Sequence, residues 1–241
     1  MKLQRKGTRH SHRGVIGVES AIVMIAFVIV AAALAFVVLN MGFSTSQKAK
    51  TTIIAGLGES SSSMQVAGKV TGVGCTSTST DATCDTTPKL NATAFPIKVS
   101  SGGDAVDLGV STTAIKYITN NIQYDDIYAG PITAAEYRSL SDAFTQAEME
   151  TGADFDAFNG AHPITGTLPN STSAFIYWSV QQSANQVLDQ GEHAVLAIGF
   201  DSTDRPQALD TIRAEIIPAT GASLSVERQV PSITTSVVDL G

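Results

Sequence analysis

The chain has 241 residues, 43% of them hydrophobic, with 22 acidic and 15 basic side chains and a formal charge of −7. That length holds one domain of ordinary size plus an added element. The acidic balance excludes nucleic acid as a partner, which calls for a basic surface, and it suits a solvated exterior.

The first element is an unbroken apolar run from Ala21 to Leu39, AIVMIAFVIVAAALAFVVL. Ahead of it lie the basic leader MKLQRKGTRHSHRG and the bridge VIGVES. Valine and isoleucine are frequent in the run and would suit a strand, but strands are usually under about ten residues long. At about 1.5 Å of rise per residue, about 20 apolar residues span a bilayer as a helix. A single span in lipid must also satisfy its own backbone, which only a helix does. An ordinary secretory signal fits poorly, because its apolar core is about 7–15 residues long and ends at an A-x-A-like site. Here Asn40-Met-Gly-Phe follows instead. A permanent anchor fits better, with Lys2, Arg5, Lys6, Arg9 and Arg13 holding the N-terminus in the cytoplasm and the body outside.

The helix is expected to continue past Leu39 through helix-tolerant stretches such as Gln47-Lys-Ala-Lys50 into the low 60s. Gly42, Gly56 and Gly58 each weaken it by about 1 kcal/mol relative to Ala. Glu59 to Ser63 reads as its frayed end or as a hinge. Residues 71–88 are rich in Ser and Thr and read as a loop carrying Cys75 and Cys84. Outside the cytoplasm such a pair forms a disulfide, worth roughly 2–3 kcal/mol in the chain-entropy model. Asn91-Ala-Thr93 and Asn170-Ser-Thr172 are sequons, and on an exported chain Asn91 and Asn170 are both glycan acceptor candidates.

Strand signals follow at Ala94–Val99, Thr113–Ile118, Ser173–Val180, Ala194–Phe200, Thr211–Ile217, Ser223–Arg228 and Thr234–Leu240. Apolar and polar residues alternate in several of them, and turn residues such as Ser101-Gly-Gly-Asp104 separate them. The expected fold is α+β: a long N-terminal hydrophobic helix, then an antiparallel sandwich or barrel head. One short helix interrupts the strands. Thr133-Ala-Ala-Glu136 matches a capping box, Tyr137, Leu140, Phe144 and Ala147 share one face, and Gly152 would end it. This helix is expected to cover one edge of the sheet.

No catalytic constellation is visible, and no cofactor is expected. His162 and His193 lie far apart, and there is no nucleophile elbow, phosphate loop or H-E-x-x-H. Asp125-Asp126 and Asp201 to Asp204 have the chemistry to hold a hard cation, but solvated turn carboxylates are the simpler reading. Tyr177 and Trp178 would serve surface adhesion if exposed, although a strand places them in a core by default.

Arg13-Gly14-Val15-Ile16-Gly17-Val18-Glu19-Ser20, followed by the apolar run, resembles the processing site of archaeal and bacterial type IV pilin-like proteins. Within that superfamily the chain is most similar to the archaellins, archaeal flagellins. The similarity extends over Arg13 to about Lys50, Val99-Ser-Ser-Gly-Gly-Asp-Ala-Val-Asp-Leu108 with Ile115-Lys-Tyr117, Ile216 to Arg228, and Pro231 to Leu240. The resemblance implies an immunoglobulin-like head and division into a leader (1–14), a polymerisation helix (15–65) and an extracellular head (66–241). It implies cleavage between Gly14 and Val15 by a prepilin-type peptidase, leaving 10 basic against 22 acidic residues and a formal charge of −12.

It further implies residence in the membrane before assembly, and then a helical homopolymer, open to other archaellins, on a membrane assembly and motor platform. Packing among helices would use small residues four apart, Gly17 with Ala21 and Ala31 with Ala35. Glu19 would balance the helix dipole, pair with the new α-amino group of a neighbouring Val15, or lie at the lipid boundary. An adhesive pilin and a membrane-tethered binding module are the alternative readings.

Overall fold

The computed structural model describes residues 13–61, 63–75, 87–150, 153–165 and 167–241. Of residues 13–16, 58–61, 153 and 154 only the backbone is described. The chain divides into two units, residues 1–55 and 56–241. Helix α1 (Arg13–Ser61) runs without interruption through Gly42, Gly56 and Glu59. Among the described residues thirteen strands follow it: β1 (Met64–Val66), β2 (Thr71–Cys75), β3 (Lys89–Val99), β4 (Val106–Asp107), β5 (Thr113–Thr119), β6 (Gln123–Tyr124), β7 (Tyr128–Glu136), β8 (Ser173–Val180), β9 (Val187–Leu188), β10 (His193–Gly199), β11 (Thr211–Pro218), β12 (Leu224–Gln229) and β13 (Val237–Asp239). Helix α2 (Leu140–Met149) and a 3₁₀ turn (Ala153–Phe158) lie between β7 and β8. Because β1 begins at Met64, the expected helix boundary at residue 65 runs two residues into the sheet.

The head is a two-sheet sandwich. One sheet has the order β13-β2-β3-β10-β8-β7, with β1 also pairing β3, and the other has the order β12-β11-β5-β6. Both sheets end in edge strands, so the barrel alternative is corrected to an open sandwich. The main core fills the space between them. Phe95 and Ile97 of β3, Ile176 and Trp178 of β8, and Leu196 and Ile198 of β10 meet Ile115 and Tyr117 of β5 and Ile212 and Ile216 of β11. Pro96 is tolerated in β3 because it falls where β1 gives way to β2 as neighbour. Its carbonyl accepts from Ala67 N–H at 2.8 Å, while the other side pairs with Val195.

The outer face of the larger sheet is buried as well. Ala92 and Ala94 of β3, Phe175 and Tyr177 of β8, and Val195 and Ala197 of β10 pack under Ala143, Phe144 and Ala147 of α2 and Phe158 of the 3₁₀ turn. Phe144, Phe158 and Phe175 stack edge to face, with centroids 5.1–5.8 Å apart. The helix therefore covers the face of the sheet rather than its edge, a correction to the sequence reading. Topology supplies the reason: β7 and β8 run parallel, and parallel neighbours need a crossover, here made by α2 and the 3₁₀ turn. The sheet is thus antiparallel except at β7.

Thr133-Ala-Ala-Glu136, read as a helix start, is the end of β7. Ile132 pairs with Tyr177 and Glu136 with Trp178, and the Glu136 carboxylate accepts from Gln181 N–H at 2.8 Å. The helix starts one turn later, where the Ser139 hydroxyl accepts from Asp142 N–H at 3.1 Å. Phe144 and Ala147 are buried as their spacing predicts, Tyr137 and Leu140 are half-buried, and Gly152 lies outside the described residues. Residues 71–75, read as part of a loop, form β2 between β3 and β13.

Glu192 is the most constrained charge in the head. It is fully buried and receives four N–H groups. Its Oε1 accepts from Gln182 (2.7 Å) and Ser183 (3.0 Å), and its Oε2 from Trp178 Nε1 (3.1 Å) and Asp189 (3.2 Å). Burial pushes its pKa up, but the hydrogen bonds, led by that from Gln182, outweigh it and hold the carboxyl below its ordinary value. A depressed folded pKa means the stabilisation is present above the unfolded value and is lost as pH falls through the folded one. Glu192→Gln keeps one acceptor but turns an NH₂ toward two N–H groups. It should cost about 1–3 kcal/mol at neutral pH and flatten the acid limb of head stability below the ordinary Glu range, as measured by thermal melts from neutral pH into acid.

Candidate assembly surface

Helix α1 has no polar face along its apolar run. Ordinary surface helices bury one stripe and wet the other, whereas here Val, Ile, Leu, Phe and Ala occupy all sides of Ala21–Leu39. Every side chain from Gly17 to Leu57 is exposed, and this 41-residue segment is long and apolar enough to cross a membrane. Phe27 is 78% exposed and Met24 72%, within a contiguous exposed apolar surface of the kind that marks a membrane or protein contact.

The helix is prepared for a dry environment. Three of its threonine hydroxyls turn back on its own carbonyls: Thr45 donates to Met41 O at 2.8 Å, and Thr51 and Thr52 both donate to Lys48 O at 2.9 Å. Gly17 and Ala21 share a face by their spacing, as do Ala31 and Ala35. All four are exposed, and a Cβ at Gly17 would meet nothing within 4 Å. Nothing in this chain's own fold therefore requires a small residue at Gly17. Glu19 is also exposed, two residues before the run. Gly14 and Val15 lie in the first turn of α1, and their side chains lie outside the described residues, as do residues 1–12.

The remaining expected sites fall in the head. Cys75, at the end of β2, is buried and disulfide-bonded, while Cys84 lies outside the described residues. Asn91 is no surface asparagine. It is buried in β3, its Nδ2 donates to Pro163 O at 3.0 Å, and its Oδ1 accepts from Arg205 NH1 at 3.0 Å. A glycan would occupy the very nitrogen that makes the first of these bonds, so in the folded head Asn91 is corrected to a core residue. Asn170, by contrast, is exposed.

Tyr177 and Trp178, the adhesion candidates, are 4% and 0% exposed and belong to the two cores. Asp126 accepts from Ile115 N–H and Tyr128 N–H, while Asp204 Oδ2 accepts from Tyr124 OH (2.8 Å) and Thr172 Oγ1 (2.7 Å). Asp201 is pushed up by burial and pulled further down by hydrogen bonds from the Thr203 hydroxyl and nearby backbone, so its pKa is lowered. These carboxylates organise turns. Among the described residues no three metal-ligating side chains converge. Sequence reasoning missed the Asn91–Arg205 and Glu192 networks because their partners lie far apart in the chain or on backbone amides.

An all-round apolar helix joined to a separately folded β sandwich defines a class of chain whose helix must be completed from outside. The family model for archaeal-type flagellin matches residues 14–228. The chain is 35% identical over 220 residues to "Probable flagellin 1" of Aeropyrum pernix, covering 91% of this chain and 93% of that one. It is 25% identical over 224 residues to "Probable flagellin 1" of Archaeoglobus fulgidus, covering 92% and 91% respectively. The fold is shared with the archaeal flagellum of Methanospirillum hungatei strain JF1 (TM-score 0.56, 22% identity, covering 93% of this chain and 99% of that one). It is also shared with flagellin FlaB1 of Methanocaldococcus jannaschii (TM-score 0.52, 18% identity, covering 74% and 96%). The chain belongs to the archaeal-type flagellin family.

The buried asparagine gives a direct check on the head. Asn91→Ala removes one acceptor from the Arg205 guanidinium and the side-chain donor from Pro163 O. Head stability should fall by about 1–3 kcal/mol, seen as a lower thermal midpoint in circular dichroism.

Proposed function

We propose that this chain is the structural subunit of an extracellular helical filament, the archaellum used for swimming. The observation that carries the reading is α1, with 41 residues exposed at every side chain, in a member of the archaeal-type flagellin family. The relative from Methanospirillum hungatei is itself an archaeal flagellum.

In this reading the leader places the chain in the membrane with its head outside. A prepilin-type peptidase cuts between Gly14 and Val15, removing five cationic residues that an apolar bundle would not accept. The mature helix then leaves lipid for a bundle of copies on a membrane assembly and motor platform. Lipid and bundle are equally apolar, so close van der Waals packing must supply the difference, and Gly17, Ala21, Ala31 and Ala35 let backbones approach. Glu19 meets the α-amino group of a neighbouring Val15 or balances the helix dipole. A Cys75–Cys84 bond closes the Ser/Thr loop of the head. The buried state of Tyr177 and Trp178 removes the feature that favoured an adhesive pilus.

Electron microscopy of sheared cells, with mass spectrometry of the mature N-terminus, tests the reading. The expected result is filaments of this chain beginning at Val15. Recovery of the processed chain only as membrane-bound monomers overturns it. Ala31→Leu combined with Ala35→Leu should reduce filament yield about 10-fold or more, the effect of roughly 1.4 kcal/mol per subunit contact, while leaving the melting of the head unchanged. Equal filament yield would remove the small-residue packing from the reading.

A further inference from the structure

Helix α1 carries few charges. Between Gly17 and Leu57 the sequence holds one acidic side chain, Glu19, and two basic ones, Lys48 and Lys50. All three are exposed, and among the described residues none makes an ion pair within its own chain. The helix offers no charged partner nearby. Residues three and four positions away are neighbours on a helix surface. For Glu19 these are Val15, Ile16, Ile22 and Val23, and for Lys48 they are Ser44, Thr45, Thr51 and Thr52.

Spacing and face say different things about these charges. Glu19 and Lys48 are 29 residues apart (48 − 19), which is about 44 Å at about 1.5 Å per residue. That is close to the thickness of a bilayer with its headgroups, so in the membrane one charge lies at each wet boundary. At about 100° per residue, 29 residues bring Lys48 back to within about 20° of Glu19, whereas Lys50 lies on the opposite side. A membrane span gains nothing from that alignment, because each boundary is wet all round the helix. A bundle of copies does gain from it.

We propose that in the filament Glu19 of one copy pairs with Lys48 of a second copy displaced by about 44 Å along the helix direction, and that this pair sets the axial stagger of the copies. The pairing rests on the proposed filament role. Leaving lipid takes both charges from wet boundaries into a bundle, where a charge without a partner is costly. A straight helix cannot fold back to join its own two ends, so only another copy supplies the partner. Turning the shared face inward in every copy brings the Glu19 side chains of some copies level with the Lys48 side chains of others. Apolar packing specifies height weakly, since one turn of Val, Ile, Leu and Ala resembles the next. A single polar group in an apolar seam specifies register at a cost in stability, and here the two opposite charges offset each other. The Glu19 carboxylate has two oxygens, enough to accept from Lys48 and from an α-amino group together.

A double-mutant cycle tests the pairing, in full-length chains made in the cells that naturally carry them. The readout is filament recovered per processed chain in the membrane, which removes effects on insertion and cleavage. Glu19→Gln and Lys48→Gln should each lower it about 10-fold or more, because each strands the other charge. The double variant strands neither, so it should stay within about 3-fold of the weaker single rather than fall about 100-fold. For Glu19→Gln with Lys50→Gln the two losses should multiply, because Lys50 lies on the other side. Multiplying losses for Glu19 and Lys48, equal rescue by the Lys50 variant, or a Lys48→Gln chain that assembles like wild type overturns the pairing alone. A wild-type chain that forms no filaments overturns the filament role and the pairing together.

Discussion

A helix that is apolar on every side can never be left in water, and this constraint orders everything else in the molecule. Burying about 15 of its side chains is worth on the order of 20–45 kcal/mol before entropy, at about 1.5–3 kcal/mol each. That is several times the net stability of a typical domain. Exposure of the helix is therefore never an intermediate state. In the proposed assembly it would pass from lipid to protein with no aqueous step, and the choice between the two environments would turn on contact geometry rather than on hydrophobicity. The hydroxyls of Thr45, Thr51 and Thr52 are already satisfied by carbonyls one turn back, so these three donors carry no unmet hydrogen bond into a dry environment.

The head must then fold without help from the helix, and its architecture shows how. The larger sheet is buried on both faces, by the second sheet on one side and by α2 with the 3₁₀ turn on the other. Interior polar groups are closed into networks. Glu192 gathers three backbone amides from two segments and the Trp178 indole, and Asn91 joins Arg205 to the carbonyl of Pro163. Removing any one member strands the rest in a low-dielectric interior, which makes such networks specify one arrangement rather than merely add stability.

Much of this was legible from residue order alone. Nineteen consecutive apolar residues leave no other structure open, and alternation located β5, β8, β10, β11 and β12 to within a residue or two of their observed ends. The failures share a cause, for in each a non-local partner overruled a local signal. Thr71-Gly-Val-Gly-Cys75 reads as loop with the Ser/Thr-rich stretch that it opens, yet β3 and β13 on either side make it a strand. Its glycines also admit neighbours: a Cβ at Gly74 would come within 2.5 Å of Ile233 Cγ2. Thr133 to Glu136 satisfies the capping-box pattern, but register with β8 claims it first. The Asn91–Ala94 part of β3 gives no propensity signal, since its alanines, small enough for α2 to pack over them, are poor strand formers. Asn91 and Asn170 carry identical motifs, and only the fold separates a core amide from a surface one.

The closure of the head on itself completes the argument. A subunit whose helix changes partners must not transmit that change as unfolding, so the residues just after the helix should be tied to the head rather than to the helix. They are. Ser63 O accepts from Ser100 N–H, and β1 pairs with β3 immediately afterwards. Val70 N–H donates to Gly241 O while Leu240 N–H donates to Val70 O, so the first and last segments of the head lock into one ladder. The Lys69 ammonium meets the Asp239 carboxylate at the same place, but both are exposed and screened by salt, so the backbone ladder and the apolar contacts of Val238 and Leu240 hold the closure. The segments at Ser63–Val70 and Val238–Gly241 thus rest on the head's own core, so in the proposed assembly a change of neighbours around the helix would leave the fold it carries undisturbed.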